Sequence, residues 1–157
     1  MTEPGNGPGR LDTGGRVTDG KATGFAMTYG AAQGRSLRLD RPLSFWGGTD
    51  HSGLIVDQHH PQFGVHLAGR VLLMTSGRGS SSSSSVLAEQ IRAGTAPAAI
   101  VLAHADAIIA VAAIVAFELY GLAVPIVLVD EERHALLPND VQAHVTASPE
   151  QAEISWA

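Results

Sequence analysis

Cysteine is absent from this 157-residue chain. Its own residues therefore exclude disulfides, thiolate zinc sites, a cysteine nucleophile and any thiolate-held iron–sulfur cluster. Basic charge is scarce as well. Ten Lys and Arg stand against fifteen Asp and Glu, for a formal net charge of −5, and nothing clusters the basic residues. General nucleic-acid binding needs a basic face, which argues against that class of partner. The seven histidines soften the negative charge at acid pH without building such a face. Long apolar runs are missing too. The longest spans residues 107–117 between Asp106 and Glu118, short of the roughly 20 residues that cross a bilayer. The opening MTEPGNGPGR has no basic start followed by an apolar run, so it does not read as a secretory signal. A soluble, cytoplasmic protein is the expectation.

What is present suits a single compact domain: 45% of residues are hydrophobic and 16% charged, in a length able to bury a substantial core. Residues 1–34 hold nine of the eighteen glycines and two prolines, with few apolar residues. Such a segment gains little by burial, so it is expected to be a flexible leader, with the folded domain at 35–157. From Ser36 the texture changes, and Ser36-Leu37-Arg38-Leu39-Asp40 alternates like a half-buried strand. Short strands are expected over residues 54–56, 70–75, 98–103 and 124–129, with weaker ones at 141–146 and 152–156. Val86, Leu87 and Ile91 have helical spacing in residues 82–93, ahead of a stop at Gly94. Residues 107–120 form a nearly all-apolar helix ended by Gly121, expected to be covered on most sides. Strand–helix alternation in the middle gives parallel βαβ pairing flanked by further β segments, a layered α/β sandwich.

Ser80 to Ser85 are six consecutive serines. Alone they read equally well as a flexible tether. Their flanks favour chemistry. A buried strand runs into Ser76-Gly77-Arg78-Gly79, and a helix begins directly after. Glycines allow close backbone approach, unpaired N–H groups at a helix start point outward, and the helix dipole favours negative charge. Serine hydroxyls add donors and one potential proton acceptor. No Gly-Lys-Ser/Thr follows, so this is not a Walker loop. The pattern specifies a carboxylate or phosphate site without naming a reaction.

Three further segments accompany this loop: Ser44-Phe45-Trp46-Gly47-Gly48-Thr49-Asp50, Ile55-Val56-Asp57-Gln58-His59-His60-Pro61, and Ala113-Ile114-Val115-Ala116-Phe117-Glu118-Leu119-Tyr120-Gly121. Together with Ala96-Pro97-Ala98-Ala99-Ile100, the combination resembles the small subunit of aconitase X over roughly residues 35–129. The resemblance implies a swivelling β/α sandwich similar to the fourth domain of aconitases, closing over a large subunit that holds the iron–sulfur cluster. This chain itself would bind none. The activities it implies are dehydration of cis-3-hydroxy-L-proline, favoured slightly here, or of mevalonate 5-phosphate. Archaeal small subunits tend to carry threonine where this chain has Ser81. The serine directly after Gly-x-Gly is the family's proton acceptor, which places that role on Ser80. The substrate-binding residues that follow are Gly48, Asp50, Arg78, Gly79 and Ser81. Ser83 and Ser84, farther along, are expected to tolerate alanine silently.

Two readings of other classes compete. Residues 112–119 resemble a phosphohistidine swivelling domain, but the phosphorylated histidine would fall on Val111. A free-standing anion-binding module is the other. Among remaining candidates, Asp50 is equally explained as a turn aspartate bonding its own backbone. His60 before Pro61 can simply shape a loop. His51, His59 and His66 match no familiar metal-ligand spacing. Arg78 can pair bidentately with a carboxylate, or serve the partner subunit. Trp46, Glu118 and Tyr120 read as packing or surface residues, with Trp46 a plausible interface anchor.

Overall fold

A computed structural model describes residues 20–157. In chain order the elements are β1 (Gly20–Thr28), β2 (Gly30–Arg38), the single turn α1 (Phe45–Gly48), β3 (Val71–Met74), α2 (Ser82–Ala93), β4 (Ala99–Leu102), α3 (Ala107–Tyr120), β5 (Ile126–Leu128), α4 (Glu131–Ala135), β6 (Gln142–Ala147) and β7 (Ala152–Trp156). The strands close into a barrel in the order β1-β5-β4-β3-β2-β6-β7. β2, β3, β4 and β5 are parallel neighbours, as the strand–helix alternation requires. The flanking strands pair antiparallel and complete the ring.

The central strands are apolar on both faces because both faces are covered. In β3, Leu72 and Met74 point to the helices, whereas Val71 and Leu73 point into the barrel. In β4, Ile100 and Leu102 join the helix side and Ala99 and Val101 the interior. Period-two alternation thus builds two cores on one sheet. Truncating a residue such as fully buried Leu102 to alanine would cost about 2–5 kcal/mol. α2 stops at Gly94, whose left-handed φ of 78° returns its N–H to the carbonyls of Gln90 and Ile91. Asp106 starts α3 by accepting from the amides of Ile108 and Ile109, and Gly121 ends it at φ 69°. α4 is fastened from below: buried His134 donates from Nε2 to Val101 O at 2.9 Å.

Three expectations change. Of the leader expected over 1–34, residues 1–19 lie outside the described residues, but 20–34 are strand, so the domain extends at least to residue 20. The glycines there serve close packing rather than freedom: a Cβ on Gly24 would collide with Leu128 O, and one on Gly34 with Gly69 O. Residues 54–56 are not a strand. They carry only isolated bridges, Thr49 to Ile55 and Leu54 to His66. Finally, α3 is not covered on most sides, since Val111, Ile114, Phe117 and Leu119 are 46%, 50%, 55% and 67% exposed.

Candidate functional site

Parallel strands deliver their carboxyl ends, and the loops that follow, to the same rim of a sheet, where ligands of open α/β folds gather. Here the loops after β2, β3 and β4 are tied to one another by backbone bonds. Leu39 N–H donates to Leu73 O, Arg78 N–H to Leu43 O, and the amides of Ala103 and His104 to Thr75 O. Gly77 lies where a Cβ would strike the Asp106 carboxylate, so the loops after β3 and β4 are in contact.

The loop after β3 carries the motif. Gly79 has φ 110°, a conformation L side chains rarely adopt, and a Cβ on it would collide with Ser44 Oγ. The chain then swings into α2 through Ser81, whose own side chain makes no capping bond. The amides of Ser83 and Ser84 turn back to the carbonyls of Ser80 and Ser81. Among the described residues no hydrogen bond uses the amides of Ser80, Ser81 or Ser82. These donors and the positive end of a 12-residue helix face outward. Ser80 and Ser81 are exposed, and so is Arg78, whose guanidinium forms no ion pair or hydrogen bond among the described residues. The arrangement offers anion donors, a free cation and a bare hydroxyl on one strip of surface.

Arg78, Gly79, Ser80 and Ser81 are therefore brought together. Asp50 sits farther along α2, whereas buried Gly48 lies behind Ser44, the residue that Gly79 packs against. Gln90 Nε2 donates to Thr49 Oγ1 at 2.8 Å and Asp50 O at 3.0 Å, which ties that turn to a level of α2 about 12 Å beyond Ser82. Asp50 Oδ1 accepts from Ser52 Oγ, Ser52 N and Leu54 N at 2.6, 2.9 and 3.1 Å. The Ser52 hydroxyl first, then the Leu54 amide, hold its carboxyl below the usual range. Gly48 is buried against Leu43. The buried His60 ring is also engaged in its loop, donating from Nε2 to Arg41 O and accepting at Nδ1 from Gln62 N. Among the described residues, no three His, Asp or Glu side chains gather as a metal site would require.

Sequence reasoning missed Ser44, Ser83 and Asp106. Ser83, expected to be dispensable, is 4% exposed. Its Oγ accepts from Trp46 N at 3.3 Å and lies 3.4 Å from Ser44 Oγ, clasping the loop after β2 to the first turn of α2. Ser84 Oγ donates to Ile108 O at 2.7 Å, joining the starts of α2 and α3. Helical geometry was the available signal, because six consecutive serines cannot all face one way around a helix. The crevice bounded by Leu43, Gly79, Ser83 and Asp106 holds only about 10 Å³, too little for a small organic acid. The strip at Ser80 is exposed surface, not an enclosed cavity.

The family model of the aconitase X swivel domain matches residues 21–154. A cis-3-hydroxy-L-proline dehydratase of Pseudomonas aeruginosa is 50% identical over 106 residues, 67% of this chain and 18% of that protein. The phosphomevalonate dehydratase small subunit of Methanothermobacter thermautotrophicus is 42% identical over 91 residues, 57% of this chain and 70% of that one. Among solved structures, the holo form of Thermococcus kodakaraensis aconitase X superposes with a TM-score of 0.74 at 30% identity, over 85% of this chain and 97% of that chain. The chain thus spans less than a fifth of the first relative and most of the second.

Proposed function

The chain belongs to the aconitase X swivel-domain family, and from that premise we propose that it is the small subunit of a heteromeric dehydratase in which Ser80 is the proton acceptor. The observation that carries this reading is the exposed Ser80 hydroxyl at the amino end of α2, beside the unpaired Arg78 guanidinium and a glycine at φ 110°. A serine hydroxyl is a weak base at neutral pH. Aligned amides at the helix start, its positive dipole end and a nearby guanidinium lower the energy of the alkoxide, most of all where a partner excludes water. The alkoxide takes a proton from a carbon of the hydroxy acid and becomes the neutral hydroxyl. The electron pair left behind forms the double bond as hydroxide departs from the adjacent carbon, so water is lost in total. Ser81 and the loop amides hold the substrate's carboxylate.

This chain's residues do not fit an iron–sulfur cluster, because the sequence has no cysteine and the described residues offer no three-ligand group. The cluster belongs, in this proposal, to a separate large subunit, and no step on this chain runs through it. The exposed strip at Ser80 needs that partner to close it. Its footprint would cover Trp46, Gly47 and the segment from Gly77 to Ser81, burying at least about 1,000 Å² in total. Trp46, 60% exposed beside the motif, is the expected anchor.

The favoured substrate is cis-3-hydroxy-L-proline, on the 50% identity to an enzyme of that name. Mevalonate 5-phosphate is the second reading, supported by the 70% coverage of a small subunit acting on it. The decisive experiment reconstitutes this chain with a candidate large subunit and assays both substrates, wild type against Ser80→Ala. Activity in the wild-type complex alone, with neither subunit active by itself, is expected. Full turnover by the isolated chain would overturn the subunit reading and full turnover by the Ser80→Ala complex the base assignment, whereas no activity in any combination would leave an anion-binding module.

A further inference from the structure

α3 is built inside out. The face packed on the core is made of Ile109, Ala112, Ala113 and Ala116, all buried, and the helix lies against α2 and β1. The solvent face, at three- and four-residue spacing, is Val111, Ile114, Val115 and Glu118. Beside it, Phe117 and Ile114 meet Met27, Tyr29 and Val124 around a groove of about 620 Å³. The groove lies roughly 16 Å along α3 from Asp106, away from Ser80. Ridge and groove are continuous through Ile114 and Phe117.

Tyr29, Val111, Ile114, Val115 and Phe117, at 37–55% exposure, present on the order of 500 Å² of surface. That is the upper end of what monomers leave bare. Two such patches face to face would bury about 1,000 Å², the least that a specific interface should clear. A twofold contact requires one surface to be its own complement, and a patch carrying both a ridge and a groove meets that condition. The chain carries −5 overall, yet Glu118 is the one charge in the ridge and groove, so repulsion between copies is weakest here.

We propose that the outer face of α3 and the groove beside β1 form the self-contact of a homodimer of this chain. The proposal stands independently of the dehydratase reading. Sedimentation and light scattering on the purified full chain at tens of micromolar are expected to show twice the 16.3 kDa chain mass. Ile114→Glu and Phe117→Glu, with helix content checked by circular dichroism, should each weaken self-association at least tenfold, whereas Trp46→Ala should leave it unchanged. Because the chain has no cysteine, Val115→Cys with a bis-maleimide linker provides a readout that does not require a disruptive change, and a crosslinked dimer is expected. A wild-type monomer across that range overturns the proposal, including the case in which only an added large subunit shields α3. A dimer that persists in both folded Glu variants overturns it equally.

Discussion

The serine run divides into two populations within little more than one turn of helix. Ser80 and Ser81 face solvent at a helix start whose amides are unspent, whereas Ser83 and Ser84 turn inward and spend their hydroxyls on Trp46, Ser44 and Ile108. One residue type is thus divided between exposed surface and framework by its place around the helix start. His134 belongs with the second population: it is 1% exposed and engaged with Val101 O. Outward-facing polar groups retain unsatisfied capacity that a ligand can use. Inward-facing ones have given it up for structure. Substitution should separate the two, because the first population should respond in turnover and the second in stability.

The largest expected effect is Ser80→Ala in the assembled complex. Turnover should fall roughly 10²–10⁴-fold, the range of a positioned acid–base group. Melting of the free chain should move little, as exposed substitutions cost within about 0.5 kcal/mol. A variant that loses activity only through lower melting would place Ser80 among the structural serines. Gly79→Ala comes next and should touch both readouts. Its φ of 110° and the collision with Ser44 Oγ together cost about 1–3 kcal/mol. Melting should drop by about 2–4 °C per kcal/mol at this chain length.

Ser83→Ala is a purely inward change and should cost about 1 kcal/mol, as the Trp46 amide loses its acceptor. Its turnover in the complex should fall far less than that of Ser80→Ala, because no reacting atom is touched. Ser84→Ala should lose a similar amount by releasing Ile108 O. Equal turnover losses at positions 80 and 83 would erase the distinction between the two faces.

His134 tests the inward class by pH. Burial, partly opposed by the bond to Val101 O and reinforced by the Arg38 guanidinium, pushes its pKa down. Protonation therefore favours the unfolded chain. The stability is present in full above the ordinary histidine pKa of about 6.5 and is lost as pH falls below it toward the depressed folded value. Melting temperature should be level from pH 8 to about 6.5 and then decline. The carboxyls of Asp50, Glu89 and Asp140 are held low by their partners, so their contributions are lost only in more acid solution. His134→Gln should flatten the slope near pH 6; an unchanged slope would assign it to another group.

Where a signal is local, the sequence carried it. The carboxyl ends of α2 and α3 follow from Gly94 and Gly121, each a cap acting within one turn. The proposed site at Arg78 to Ser81 could be singled out for the same reason, since strand, glycine, serine and helix are contiguous. What escaped depends on distant neighbours. β1 and the first half of β2 looked like a leader because Gly24 and Gly34 lower the apolar count, yet both are glycine to let another backbone pass. The bare face of α3 was hidden because composition reports hydrophobicity, not what covers it. Ser83 was unreadable within a uniform run until the position of Ser44, 39 residues earlier, was known.

The smallest effect is expected at Ser85, and it is the control that gives the others meaning. Ser85 lies in the same run and the same helix, is exposed, and uses its side chain in no hydrogen bond among the described residues. It is two residues past Ser83, about 200° around the helix axis, so it points away from the Ser44 clasp. Alanine removes a hydroxyl that competes for backbone bonds and has the better helix propensity, so stability should rise slightly or stay within about 0.5 kcal/mol. Turnover in the complex should equal wild type, because Ser85 is a full turn beyond the amides assigned to the substrate. Ser85→Ala should therefore be measured beside Ser80→Ala and Ser83→Ala in one series of melts and assays. A large loss at Ser85 in either readout would show that the partner or substrate reaches along α2, and the site would have to be enlarged beyond its first turn.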